Sequence, residues 1–265
     1  MTNNELKYYE RLKHKKYRDE ENKFLIEGIH IIEECLKSEH YIGHIEKVFL
    51  RIDFKDEELI KKINTETPDI EIIFLENKKF NKLSETENSQ GILAAIKKIA
   101  PPQFLKSQIP NPKSKIKVAL DLINDPGNLG TIIRTCYCFD VDEILISQNS
   151  ADIYNSKVIR SSQGALFHLN VRNETDLVEE IKNLHQNNFE VILTDLNANK
   201  YLSEYKFETK KNYVLVFGSE ANGISNELLD NKNYDKIKIK GYADCESFNV
   251  AVSAGIIMYE VRKVF

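Results

Sequence analysis

Three glycine-bearing segments hold residues whose types and spacing suit chemistry. The first, DLINDPGNLGTIIRT at 121–135, places a turn at Asp125, Pro126 and Gly127 directly ahead of an apolar helical run. Asn128 and Gly130 tolerate unusual backbone angles, and a helix start presents free N–H groups that favour an anion. Arg134 follows Asn128 by six residues, about one and a half turns into that helix, where its guanidinium fork suits a phosphate gripped through two hydrogen bonds. An ordinary strand-to-helix turn with a salt-bridged arginine would use the same residues. The segment lacks the G-x-G-x-x-G spacing, and no G-x-x-x-x-G-K-[ST] loop occurs, which disfavours a dinucleotide-dependent oxidoreductase.

The second segment, VFGSEANGIS at 216–225, follows an apolar strand; Gly218 and Gly223 bracket Glu220 and Asn222, and Ser225 is placed to cap the next helix. Glu220 in such a loop either caps backbone N–H groups or meets a cationic ligand. The third, GYADCESFNVAVSAGIIMYEVRK at 241–263, offers Ser247 or Asn249 as a helix cap. Its small residues Ala251, Ser253, Ala254 and Gly255 permit close approach of another helix, while Val250, Ile257 and Val261 extend a packing face. A buried intra-chain contact and a dimer interface fit that face equally.

Near the chain start, Lys7, Arg11, Lys13, Lys15, Lys16 and Arg18 stand among Tyr8, Tyr9 and Tyr17, with Glu10 as the opposing charge between them. Cations neutralise phosphates and tyrosine rings stack on unpaired bases, so the mixture suits RNA; a solvated helix face has the same composition. The case rests on local clustering, because the net charge is −4. Cys35, Cys136, Cys138 and Cys245 show no CxxC spacing and no nearby histidine pair, which predicts buried thiols, no metal and no disulfide framework. His168 at a helix end and His185 on a polar helix face suit surface or packing roles.

The elements that must position these residues divide in two. From 24 to 99 the chain alternates short strands and helices: a helix over FLIEGIHIIEECLK, strand IEKVFLRI, a charged helix near 56–63, strand IEIIFL and then GILAAIKKIA. Pro101, Pro102, Pro110 and Pro112 mark a linker at 101–114 that no helix or central strand can cross. Beyond it, apolar strands KVALDLI, EILIS, FEVILTD, YVLVFG and DKIKIK and a short strand near 168–171 alternate with helices at 129–139, 153–165, 175–187 and 249–263. This pattern predicts an α/β domain with a mostly parallel sheet covered on both faces and ligands at the carboxyl ends of its strands. The division is therefore 1–100, linker 101–114 and 115–265. A length of 265 residues, 42% hydrophobic and 29% charged, describes a globular chain and excludes collagen-like and disordered classes. No apolar run approaches the ~20 residues of a membrane helix, and MTNNELKYYE is too polar for a signal peptide, so the expectation is a soluble cytoplasmic protein.

Taken together and in this order, the three segments resemble the SpoU (TrmH) family of SPOUT methyltransferases. The family's Asn-x-Gly-x-x-x-Arg-Thr motif is matched by Asn128, Gly130, Arg134 and Thr135. Gly-x-Glu-x-x-Gly is matched by Gly218, Glu220 and Gly223, and Ser-Leu-Asn-Val appears as Ser247, Phe248, Asn249 and Val250. RSSQGA at 160–165 is similar to the family's Ser-x-Gly-Ala helix, and FLIEGIHIIEE resembles the start of an L30e-like substrate domain. The resemblance implies a C-terminal domain with a deep trefoil knot, a homodimer, and transfer of a methyl group from S-adenosylmethionine to a ribose 2′-hydroxyl of RNA, with ribosomal RNA preferred and transfer RNA the alternative. By the same match, Asn128, Arg134, Glu220, Ser247 and Asn249 are the catalytic surround, and Thr194, Gly218, Ile239 and Phe248 line the donor site. The Lys7–Arg18 segment is expected to contact RNA. Lys240 stands where the family usually has proline, Ala243 where glycine is common, and Phe248 replaces leucine. A non-catalytic RNA-binding factor of the same fold is the competing reading.

Overall fold

A computed structural model describes residues 1–99, 115–244 and 246–265; the linker expected at 101–114 and Cys245 lie outside the described residues. The chain divides into two units, Met1–Ala100 with Asp152–His168, and Pro101–Ala151 with Leu169–Phe265.

In the first unit, helices α1 (Asn3–Arg11) and α2 (Lys15–Glu21) precede β1 (Lys23–Glu27), α3 (Ile29–Lys37), β2 (Ile45–Arg51), α4 (Glu57–Glu66), β3 (Glu71–Leu75), α5 (Asn77–Leu83) and β4 (Ile92–Lys97). The sheet order is β1-β4-β2-β3, with β4 antiparallel to both neighbours and β2 parallel to β3. A capping box between Thr2 and Glu5 starts α1, whose Leu6 and Tyr9 pack with Leu12, Phe49, Phe80 and Leu83. The helix expected over 24–37 splits: Gly28 adopts φ +108, a conformation closed to a continuing helix, so Phe24–Glu27 pair with β4 and the helix begins at Ile29. Helix α5 was not legible in the periodicity.

Asp152–His168 completes this unit, although the linear division assigns it to the C-terminal domain. Its helix Ser156–Ser162 packs on β1. Tyr154 lies 4.5 Å from the Phe24 ring centroid, Phe167 lies 5.0 Å from that of Tyr41, and the Ser38 hydroxyl donates to the Phe167 carbonyl at 2.6 Å. Gly164, at φ +80, sits where a Cβ would come within 2.6 Å of Glu34 Cβ. Glu34 in turn pairs with His168 Nε2 at 2.9 Å, which gives His168 a packing role. The strand expected near 168–171 begins only at Val171, because 165–168 forms a 3₁₀ turn.

The second unit runs β5 (Ile116–Asp121), α6 (Pro126–Cys138), β6 (Glu143–Ser147), then, past the Ser156–Ser162 helix (α7), β7 (Val171–Thr175), α8 (Leu177–Gln186), β8 (Phe189–Thr194), β9 (Lys200–Tyr201), β10 (Asn212–Gly218), α9 (Asn226–Leu229), β11 (Asp235–Lys238) and α10 (Val250–Arg262). Seven strands pair in the order β7-β6-β5-β10-β8-β11-β9, every pairing parallel. Side chains from β5, β6, β8 and β10 form one core layer with Leu177 and Ile181 of α8, and α10 packs against α6 and β10. A fully buried aliphatic side chain contributes about 1.5–3 kcal/mol, so these layers hold the sheet rigid beneath its loops. Because all strands run one way, their carboxyl ends share one edge: Gly218 is level with Asp121, and Thr194 with Ile237.

Candidate active site

The first segment leaves β5 through a strained corner. Leu122 adopts φ +55, unfavourable for a bulky side chain by roughly 1–2 kcal/mol, and its N–H is held by the Ser147 hydroxyl at 2.8 Å. The Asp125 carboxylate then caps α6 by accepting from Asn128 N at 2.8 Å, with Pro126 at the first helical position. This cap fixes the Asn128 side chain at the helix mouth. Arg134, further along α6, is exposed and forms no ion pair or hydrogen bond among the described residues, so the salt-bridged alternative is not what folds.

The second segment turns back on itself. Ser219 and Gly223 exchange both backbone hydrogen bonds, at 3.0 and 2.8 Å, with Gly223 at φ +67. Gly218 lies so close to this return that a Cβ would stand 2.1 Å from the Gly223 carbonyl carbon. Asp121, only 5% exposed at the end of β5, accepts from Ser225 N at 2.8 Å and pins the far side of the loop. Ser225 starts α9 without a side-chain cap bond, and Glu220 does not cap backbone either.

Glu220 instead joins the other two segments. Its Oε1 accepts from Asn128 Nδ2 at 3.1 Å and from Asn249 Nδ2 at 2.7 Å, while Asn249 Nδ2 also donates to Asn128 Oδ1 at 3.0 Å. Asn249 Oδ1 meanwhile caps α10 through Ala251 N and Val252 N at 2.9 and 3.3 Å, so one amide both starts a helix and closes the cluster. Residues up to 121 positions apart in the chain are thus tied by side chains, without help from the net charge. Ser247 is exposed and makes no hydrogen bond among the described residues; it stands beside the cluster, not in it.

Thr194 ends β8 with its hydroxyl donating to the Val216 carbonyl at 3.0 Å. Ile239 follows β11, and Phe248 is exposed ahead of α10. Thr194, Gly218 and Ile239 therefore fall at or just past the carboxyl ends of β8, β10 and β11, with β8 between the other two in the sheet, while Phe248 directly precedes Asn249 of the cluster. Leu196 and Tyr242, beyond β8 and β11, expose further apolar surface at 63% and 92%. Asp121 and the Leu122–Ser147 contact were missed in sequence; an aspartate closing an apolar strand is the signal that points to the former. Among the described residues no cluster of three His, Cys, Asp or Glu could hold a metal, and no helix is long and apolar enough to cross a membrane.

The basic segment needs one correction. Arg18 is 4% exposed: its Nε and Nη2 donate to Asp152 Oδ2 at 3.0 and 2.6 Å, and its Nη1 to the Leu12 and Lys13 carbonyls at 2.9 and 2.6 Å. A buried guanidinium with its donors committed is a packing element, not a phosphate contact. Lys13 reaches the Ser84 carbonyl at 2.9 Å, Lys15 pairs with Asp19 at 2.9 Å and Lys16 with Glu20 at 3.8 Å. Arg11 lies over the Tyr17 ring at 4.9 Å, and Lys7 is exposed. The cysteines also diverge: Cys35 and Cys136 are buried, and burial pushes the Cys35 thiol up to about 12, whereas Cys138 is exposed on α6.

Comparison with known proteins places this arrangement. Residues 115–259 match the SpoU rRNA Methylase family, and residues 3–94 match an MRM3-like substrate binding domain. The chain is 32% identical, over 98% of its length and 96% of the relative's, to the 23S rRNA (guanosine(2553)-2'-O)-methyltransferase RlmP of Bacillus subtilis. It is 25% identical to a solved structure of a putative RNA methyltransferase of the TrmH family from Porphyromonas gingivalis, with a TM-score of 0.81 and coverage of 99% and 98%. An AdoMet-bound rRNA methyltransferase from Sinorhizobium meliloti, 23% identical with a TM-score of 0.83 over 99% and 95% of the two chains, shares the fold. With the Asn, Glu and Asn of three separate motifs meeting in one hydrogen-bonded cluster and the family's pattern matched across more than half its length, this chain belongs to the SpoU rRNA methylase family.

Proposed function

We propose that this chain transfers a methyl group from S-adenosylmethionine to a ribose 2′-hydroxyl of RNA, with ribosomal RNA as the substrate rather than transfer RNA. The observation that carries the reading is the Asn128–Glu220–Asn249 cluster, whose Asn128 stands on the helix that also presents Arg134, which has no ion pair among the described residues. The Bacillus subtilis relative, named for methylating 23S rRNA, supports the choice of ribosomal RNA.

The residues present fit the donor. Main-chain groups at the ends of β8 and β10, a turn at Gly218 that leaves no room for a side chain, and the exposed Phe248 and Leu196 surfaces suit a nucleoside with an aliphatic tail. Thr194, Gly218, Ile239 and Phe248 would hold it. When bound, S-adenosylmethionine supplies a methyl carbon made electrophilic by its sulfonium charge. The protein's task is alignment of the ribose oxygen with that carbon. Arg134 grips an RNA phosphate and stabilises charge developing on the 2′-oxygen. Asn128, Glu220 and Asn249 lock the three segments in register, and Ser247 supports the geometry beside them. A guanidinium keeps its proton at ordinary pH, so the hydroxyl proton leaves to phosphate or water.

Under this reading 1–100 is an L30e-like RNA substrate domain, 101–114 a linker, and 115–265 the catalytic domain with a deep trefoil knot. Two copies pair through α6 and α10, a reading supported by Val252 and Tyr259 being about half exposed on α10. The protein works in the cytoplasm. The test is transfer of tritiated methyl from S-adenosylmethionine to ribosomal RNA from cells lacking this gene, followed by mapping of 2′-O-methyl positions. A single labelled ribose supports the reading. Label in transfer RNA alone overturns the substrate, and no label together with no calorimetric donor binding overturns the enzyme.

A further inference from the structure

The edge of the second unit's sheet carries a feature that the donor site and the cluster leave unused. Lys238 of β11 is level with Tyr201 of β9, and its ammonium lies 5.1 Å from that ring's centroid. Lys240 lies 6.0 Å from the same ring and 5.3 Å from the ring of Tyr242, which is almost wholly exposed. Cations and rings therefore alternate as Lys238, Tyr201, Lys240 and Tyr242. Lys236, two residues before Lys238, points to the same sheet face by the pleat. None of the three lysines has an ion pair among the described residues. The nearby acids are engaged elsewhere or apart: Asp235 accepts from the Tyr205 hydroxyl at 3.0 Å, Glu204 accepts from Tyr201 N at 2.9 Å, and Asp244 and Glu246 form no ion pair with the lysines.

The geometry points to a single-stranded RNA track along this edge, in which Lys236, Lys238 and Lys240 neutralise successive phosphates while Tyr242 offers its open face to a base. The almost wholly exposed Tyr242 ring beside the Lys240 ammonium, with the half-buried Tyr201 ring between Lys238 and Lys240, suits RNA better than an acidic protein, since stacking and phosphate neutralisation are both satisfied at once. Tyr242 precedes Phe248 by six positions and Asn249 by seven in the sequence, and under this proposal a strand lying on the track flanks the reacting ribose. This rests on the RNA-methylation reading and names how that substrate is held.

The test uses the full chain and a fluorescein-labelled twelve-nucleotide oligouridylate, read by anisotropy across a salt series, with calorimetric titration of S-adenosylmethionine in parallel. Tyr242→Ala is expected to weaken oligouridylate about tenfold through loss of one base–ring stack. Lys236→Gln with Lys238→Gln should lower the magnitude of the log–log salt slope by about 1.4, or ~0.7 per phosphate. Circular dichroism confirms folding, and a more distant control, Lys232→Gln, should change neither value. Unchanged oligouridylate affinity and slope in both variants overturn the track while leaving donor binding and methylation intact. Displacement of the RNA by polyglutamate of equal charge as effectively as by unlabelled RNA overturns it in favour of an acidic protein. Absence of donor binding by the unaltered chain, with the Tyr242 effect present, overturns the methylation reading and not the RNA contact.

Discussion

Replacing Arg18 separates a packing role from an RNA role. The guanidinium and the Asp152 carboxylate are 4% and 9% exposed as side chains, joined through two nitrogens on one oxygen, while Nη1 satisfies two further carbonyls. Arg18→Leu leaves a buried carboxylate without its partner and two carbonyls without a donor, a loss of about 3–5 kcal/mol. At roughly 3 °C per kcal/mol for a domain of this size, the thermal midpoint falls by about 10–15 °C. Arg18→Leu combined with Asp152→Leu removes the orphaned charge and should recover most of that loss, because the intact pair contributes little net free energy against an apolar replacement. Calorimetry of the two variants and the unaltered chain reads this directly. A single variant that melts within about 2 °C of the original while losing RNA affinity would refute the buried role and restore Arg18 to the phosphate contacts.

Gly218→Ala introduces a Cβ 2.1 Å from backbone that cannot move as a side-chain tip would, so the 218–224 turn must open. The expected result is loss of donor binding by calorimetry with about 1–3 kcal/mol of destabilisation. Arg134→Lys keeps the charge and loses the fork; RNA binding measured by anisotropy should survive, while methyl-transfer turnover falls about a hundredfold or more. Burial raises the Glu34 carboxyl's proton affinity, but hydrogen bonds from Lys37 and His168 outweigh it and hold the group below its ordinary value. Its stabilising contribution is therefore complete above about pH 4.5 and fades as pH falls through the lower folded value. Glu34→Gln should flatten the acid limb of the thermal midpoint against pH.

Several features were fully legible in the residues themselves. Short, β-branched apolar runs such as EILIS and YVLVFG, too brief for a helix and bounded by turn residues, read as strands buried on both faces, and they form β6 and β10 at the expected places. Asp125-Pro126-Gly127 was expected as a turn before a helix at 129; instead Asp125 caps α6 and Pro126 and Gly127 are its first residues, because proline suits the first helical position. Asn249 was one of two named candidates for the α10 cap. The motif spacing also identified Asn128, Glu220 and Asn249 as residues to watch. Local preference reached no further. The residues 24–27 have a helical apolar spacing, yet Gly28 and pairing with β4 make them a strand, because interstrand hydrogen bonds from a partner about 70 positions away override periodicity.

What only the tertiary structure decided were the partners. Arg18 looked like one more member of a basic cluster until Asp152, 134 residues later, took its donors. Glu220 could have capped its own loop, and it became a bridge because parallel strand order sets the ends of β5 and β10 side by side. Composition and spacing specify which groups are available and which turns a chain prefers. Which distant groups meet depends on the register of the sheet and the volume left by packing, and those are properties of the whole fold, written into no short stretch of the chain.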